Sequence, residues 1–304
     1  MKKILVAMLL STFVISSFAK ETITIVYSWT ASDPAANYDR TIAEEANRIQ
    51  NKYNFVFDAK PGAGGTVAAN YVLNNPNTIL ATSSAFFIRP NFYPNESHDV
   101  SNYRELMPKC TAPFVITSSK YKSWKEVPTD KPLSIGVSGL GTTTHLVATQ
   151  IVAKYPNIQV VPFKSTSEAL VNVIGDNIDF SVGFIGDVEA WTKENATKKT
   201  VNILGATGAD KVEGHPTLSS LGFTQNLVGM SSPNHYAIPN KVSEEKFQEI
   251  RSILVRAAKA KTVLAAYALD RCKPTDSMPD AEIQPWYQEQ AAKWRKLSQG
   301  VKVN

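Results

Sequence analysis

Histidine and cysteine are scarce in this chain, with four and two residues among 304. The histidines, His98, His145, His215 and His235, are widely scattered, and no two share the i, i+4 spacing of a helical zinc pair. That excludes a metal centre of the common histidine or cysteine kinds, and no cofactor is expected. Charged residues make up only 19%, with no cluster of lysine and arginine. A nucleic-acid partner is therefore excluded. Internal repeats and low-complexity runs are also missing. After the first twenty residues no apolar stretch approaches the ~20 positions that cross a bilayer.

What is present begins with "MKKILVAMLLSTFVISSFAKE". Lys2 and Lys3 precede a short apolar run that ends in a small-x-small pattern at Ser17 and Ala19. This reads as a secretory signal peptide over residues 1–19, cut after Ala19, and places the mature protein in the periplasm. Lys2 and Lys3 are two of the 32 basic residues, so the remainder balances to about +3 against 27 acidic ones. The excess is mild and attracts anions only weakly. Cys110 and Cys272 both lie in the exported part, where a disulfide can form. Two buried free thiols remain the alternative, because sequence does not place two Cα atoms within bridging range.

"ETITIVYSW", "YNFVFDA" and "NTILATSS" read as strands separated by helical segments, and "PLSIGV", "IQVVPF", "IDFSVGF" and "VNILGATG" continue the rhythm. Such alternation predicts an α/β fold of mostly parallel sheets flanked by helices. In the C-terminal third, Phe247, Ile250, Ile253, Leu254 and Ala257 share one helical face, with Ser243 as N-cap and Glu244 and Glu245 in the first turn. Only 15 glycines are present, yet six fall in two short stretches: Gly62, Gly64 and Gly65, and then Gly136, Gly139 and Gly141. Two strand-to-helix turns of this kind in separate halves predict two lobes that present helix N-termini to a shared cleft.

Such turns bind anions, because glycine lets the backbone approach and the first helical N–H groups lack partners. "KPGAGGT" has no G-K-[ST] ending, and "GLGTTT" lacks the third glycine of a dinucleotide loop, so nucleotide is disfavoured. A small organic acid fits better. "TTTH", residues 142–145, offers three hydroxyls and an imidazole at a helix start; the competing reading is that Thr142 or Thr143 caps the helix while His145 packs against the lobe. A secreted serine hydrolase using Ser138 is the enzymatic rival. Ser138 occupies a strand-to-helix turn, but Leu140 stands where a nucleophile elbow needs glycine.

Taken together, "KPGAGGTVAANYV", "GVSGLGTTTHL", "VVPFKSTSEALVNVIGDNIDF" and "GATGADKVEGHPTLSSLGF" resemble the Bug extracytoplasmic solute receptors of the tripartite tricarboxylate transporter family. The likeness covers nearly the whole mature chain. It implies a non-enzymatic, two-lobed periplasmic binding protein, type II-like, that closes as a Venus flytrap on a small organic carboxylate and delivers it to membrane permease subunits. Carried over residue by residue, the pocket falls to the segment 28–39, with Ser28, Trp29, Ser32 and Asp39, and to Gly64, Gly65 and Thr66. Ser83 and Ser84 follow the third strand. The second lobe supplies Ser138, Gly141, Thr142, Thr143, His145, Lys164, Ser165 and Gly183.

Three departures stand out. The first loop, "SWTASDPAANYDR", lacks the family's glycine pair, so Trp29 and Ser32 are expected to help rebuild that wall. Ser165 replaces a glycine. Gly183 replaces an aspartate that faces the pocket in many relatives, which argues against a ligand amine and toward plain organic acids. Residues 20–115 with 237–304 are expected to form lobe 1, and 116–236 lobe 2. Trp29, if it lines the cleft, would admit aromatic acids. A monomer is expected, and the same fold would equally serve a receptor that signals through a membrane sensor kinase.

Overall fold

In the computed structural model, residues 20–194, 200–275 and 278–301 are described; the signal-peptide segment lies outside them. The first half runs β1 (Glu21–Tyr27), α1 (Ala36–Ile49), β2 (Tyr53–Ala59), α2 (Thr66–Asn74), β3 (Thr78–Ser83), α3 (Ala85–Phe92), β4 (Tyr103–Ala112) and β5 (Val115–Ser118). It continues through β6 (Leu133–Val137), α4 (Thr143–Val152), β7 (Ile158–Pro162), α5 (Thr166–Ile174), β8 (Phe180–Gly183), α6 (Ile185–Glu194) and β9 (Asn202–Ala206). Then come β10 (Ser232–Pro239), α7 (Glu244–Ala258), α8 (Lys261–Leu269), β11 (Lys273–Pro274) and α9 (Asp280–Ser298).

These strands form two sheets, ordered β11-β4-β10-β3-β1-β2 and β7-β6-β8-β5-β9. The βα units give parallel pairs, β1 with β2 and β3, and β6 with β7 and β8. The rest is antiparallel: β10 joins β3 and β4, and β5 joins β8 and β9. Each lobe is thus a mixed sheet. A strand that arrives from the other sheet enters from the opposite end, and that reverses its direction. The chain passes between sheets through residues 113–114 and again through 207–231.

Alternation along β1 sends side chains to both faces. Ile25 packs in one core with Ile42, Leu254 and Tyr267, while Val26 packs in another with Val72, Phe87 and Trp294. Sheet 1 is therefore covered by α1, α7 and α8 on one side and by α2, α3 and α9 on the other. Sheet 2 is likewise covered, by Leu146 and Ile151 of α4 against Ile135 and Phe180, and by Leu170 of α5 near Val115 and Ala206. Ser243 caps α7, its hydroxyl accepting from the Lys246 N–H. Cys110 of β4 and Cys272 are joined as a disulfide, their Cα atoms 5.4 Å apart. The bond fastens the end of α8 to sheet 1.

Candidate functional site

The two glycine loops meet each other. Gly64 and Gly65, with φ of 58° and 97°, adopt left-handed backbone before α2, and Gly139, with φ of 105°, does so after β6. A Cβ built on Gly139 would lie 3.7 Å from the Gly64 Cα, and one on Gly64 would lie 3.1 Å from Thr142 Cγ2. Glycine is favoured by the left-handed backbone at each position and, at Gly64, by the Arg89 and Thr142 side chains packed against it. Further contacts fasten the lobes around this point. The Ser84 and Thr143 hydroxyls are hydrogen-bonded, and Arg89 Nη1 donates to the Leu140 carbonyl at 2.6 Å.

Beside this junction lies a narrow cleft. Sheet 1 contributes Tyr27, Trp29, Asp33, Ala35, Ser83, Ala85, Ser232 and Asn234; sheet 2 contributes Ser138, Thr142, Thr143, Thr144, Thr166 and Phe184, with Phe114 at the crossing. At the α4 start the hydroxyls are tied together. Thr144 Oγ1 lies 3.0 Å from Ser138 Oγ and 2.9 Å from Thr142 Oγ1, and it accepts from the Ser138 N–H at 2.9 Å. Thr142 also caps the helix, its hydroxyl accepting from the His145 N–H. The array therefore both caps α4 and lines the cleft. Two buried polar atoms of lining residues, Trp29 Nε1 and Ser232 Oγ, have no hydrogen-bond partner.

Carboxylates converge on the lower wall. Ser167 Oγ lies 2.8 Å from Asp33 Oδ1 and 2.8 Å from Asp187 Oδ1, linking the first loop of lobe 1 to α6 of lobe 2. Burial, and then the charge of Asp187, push Asp33 up to about 7, against hydrogen bonds from Ser167, Thr30 and Ser165. Asp270, following α8, is likewise pushed up to about 7 by burial and by Asp187, although the Tyr38 hydroxyl donates to it. Burial raises Asp187 as well. Among the described residues, no group of histidine, cysteine, aspartate and glutamate is arranged to hold a metal ion.

Of the residues singled out from the sequence, Trp29, Ser83, Ser138, Thr142 and Thr143 line the cleft. Ser28 is buried behind it, donating to the Ala81 carbonyl and facing Gly65. Gly141, with φ of 70°, packs on Tyr93. Others lie elsewhere. Ser32 is exposed, bonded to Thr30. Asp39 is buried with Lys109 Nζ at 2.5 Å and the Tyr236 hydroxyl at 2.6 Å. Thr66 faces Ser97 and His98. His145 accepts from the Gly141 N–H and is pushed down to about 4 by burial, so its imidazole stays neutral at neutral pH. Lys164 is exposed, and Ser165 caps α5. Gly183 ends β8, and a Cβ there would sit 3.5 Å from Asp187 Oδ2. A carboxylate from the next helix thus stands beside Gly183, although Asp187 is not among the lining residues of the cleft. Sequence reasoning passed over Tyr27, Asp33, Phe114, Thr166, Phe184, Ser232 and Asn234. Asp33 was within reach, because it lies in the segment 28–39.

Comparison with known proteins agrees with this architecture. BugD, a periplasmic binding protein, matches at TM-score 0.81 and 18% identity over 92% of this chain and 97% of its own. MatC from Rhodopseudomonas palustris, solved with malate, matches at 0.79 and 16% over 92% and 99%. Rpa4515 of R. palustris, solved with adipate, matches at 0.78 and 17% over 92% and 97%. At these identities the likeness establishes the two-lobed binding-protein fold. No curated protein sequence matches the chain. Residues 39–302 match the family model described as tripartite tricarboxylate transporter family receptor, TctC. The chain belongs to that receptor family.

Proposed function

We propose that this protein is a periplasmic receptor that captures a small organic acid between its lobes and delivers it to a tripartite tricarboxylate-type permease, after removal of residues 1–19. The carrying observation is the hydroxyl array of Ser138, Thr142, Thr143 and Thr144 at the start of α4, facing a cleft whose other wall comes from the opposite lobe. Hydroxyl and N–H donors at a helix N-terminus bind carboxylate, and they count for more in a site shut off from water. Relatives of the same fold hold malate and adipate. The lobes, 20–115 with 237–304 and 116–236, would pivot on the passages between the sheets. Binding, with no bond made or broken, is favoured over hydrolysis because the Ser138 hydroxyl is engaged by Thr144. His235 is held by Glu105 at 2.7 Å inside sheet 1.

A thermal-shift screen of residues 20–304 against C3 to C8 dicarboxylates, citrate, aromatic acids and amino acids tests this reading. A ligand at ~100 times its Kd adds about 2.7 kcal/mol, enough to raise Tm by several degrees. If sugars, nucleotides or esters raise it and no acid does, the reading fails.

A further inference from the structure

Among the described lining residues of the cleft the one charged side chain is Asp33; no lysine, arginine or histidine is present. A plain carboxylate entering here would meet a second negative group with no counter-ion. Asp33 is only 5% exposed, as is Asp187, which shares Ser167 with it from the facing lobe. The nearby cations are already engaged. Lys109 pairs with Asp39, Arg271 with Glu189 and Glu213, Arg40 with the Ala31 carbonyl and Asn37, and Arg89 at the lobe junction with the Leu140 carbonyl. A buried carboxylate without a cation holds its charge poorly.

The remaining wall suits a positive group. Tyr27 and Trp29 stand edge to face at 5.7 Å on one side, and Phe114 and Phe184 at 4.9 Å on the other. Aromatic faces beside a carboxylate attract an ammonium ion. Independently, Trp29 Nε1 and Ser232 Oγ are unpartnered in residues 92% and fully buried, and both residues line this cleft. An indole N–H only donates, so the molecule that satisfies it brings an acceptor oxygen.

Resting on the receptor reading above, we propose that the ligand is an amino carboxylate. Its ammonium group would be held by Asp33 and the aromatic walls, and its carboxylate by the donors of the α4 start, Trp29 and Ser232. The ligand then supplies the missing counter-ion and closes the acidic seam between the lobes.

Matched pairs test this by calorimetry on the mature protein: aspartate against succinate, glutamate against glutarate, alanine against propanoate, and 4-aminobutanoate against butanoate. The amino member of the binding pair is expected to bind at least ~30-fold more tightly, a ratio worth about 2 kcal/mol. Asp33 titrates near 7, facing Asp187, Ser167, Ser165, Thr30 and Tyr27, with Asp270 beyond. An ammonium requires the ionised form, so affinity should fall as pH drops from 8 to 5.5. Asp33→Asn should erase the amino preference, and the wild-type pairs and pH profile decide the question even if that variant misfolds. Equal or tighter binding of the plain acids, with affinity rising on acidification, would overturn the proposal and leave the receptor reading intact, Asp33 then acting as a proton donor. If no member of any pair binds, and malate and adipate fail too, both readings fall together.

Discussion

Gly64→Ala separates the two tasks of the glycine loops. Gly64 has φ of 58° and ψ of 32°, a left-handed conformation that an L-residue adopts at a cost of about 1–2 kcal/mol. Gly214, at φ of 78° with nothing within 4 Å of an added Cβ, carries the same backbone demand without neighbours. Both alanine variants should therefore lose about 1–2 kcal/mol in urea unfolding. Only Gly64→Ala adds an atom at the lobe junction, 3.1 Å from Thr142 Cγ2 and 2.9 Å from Arg89 Cδ. Arg89 has little room to yield, because its guanidinium donates across the junction to Leu140. Overpacking of this kind costs about 1–3 kcal/mol, and here it falls on the closed state. Ligand Kd should weaken by about 5- to 150-fold in Gly64→Ala and stay within twofold of wild type in Gly214→Ala. Calorimetric titration of both variants with the acid found by screening gives the comparison. Equal affinities at equal stability loss would refute the claim that the glycines serve lobe contact.

The bond between Cys110 and Cys272 closes a loop of 162 residues in sequence separation, so replacing both with alanine should lower unfolding free energy by about 2–4 kcal/mol. Urea titrations of the variant and of dithiothreitol-treated wild type should agree, and a loss below ~0.5 kcal/mol would deny the bond a structural role. A second effect is pH-dependent. Asp33 and Asp270 are both raised to about 7 in the folded chain, above the ~4 of an unfolded aspartate. Between those values the native state binds more protons than the unfolded one, so this cluster contributes stability at low pH and loses it as pH rises through 7. The Tm of wild type minus that of Asp270→Asn should accordingly decline from pH 4.5 to 8 without ligand. A difference that stays flat or grows would contradict the shift.

The βα units were legible because each carries its own local signal. Thr and Ile alternate along β1, and Ser243 with two glutamates opens α7. The strand β10, "SPNHYAIP", offered no such pattern, since all eight residues are buried and period-two alternation needs one wet face. The uninterrupted helical run from Ser243 divides at Lys259 and Ala260 into α7 and α8. That break places Asp270 against Gly186, where an added Cβ would overlap its carboxylate. The glycine loops were recognisable as close-approach backbone, but what approaches is decided by tertiary structure, and it is the other loop. The carboxylate of Asp187 beside Gly183 was hidden for the same reason: it lies four residues on, and only the turn into α6 brings it back.

How strongly the lobes hold together depends on which contacts across them are dry. Arg271 reaches Glu189 and Glu213, yet these side chains are 35–50% exposed, and such pairs contribute about 0–1 kcal/mol. The contacts inside the cleft are buried, and one of them, Ser167 between Asp33 and Asp187, is stable only if some positive charge or proton offsets two carboxylates. A ligand shifts the open–closed balance only by its differential affinity for the two states. An occupant that neutralises the seam has such a difference built in, because the seam assembles when Asp33 of one lobe meets Asp187 of the other. An occupant held at the α4 cradle alone would leave the two carboxylates of the seam without that offset.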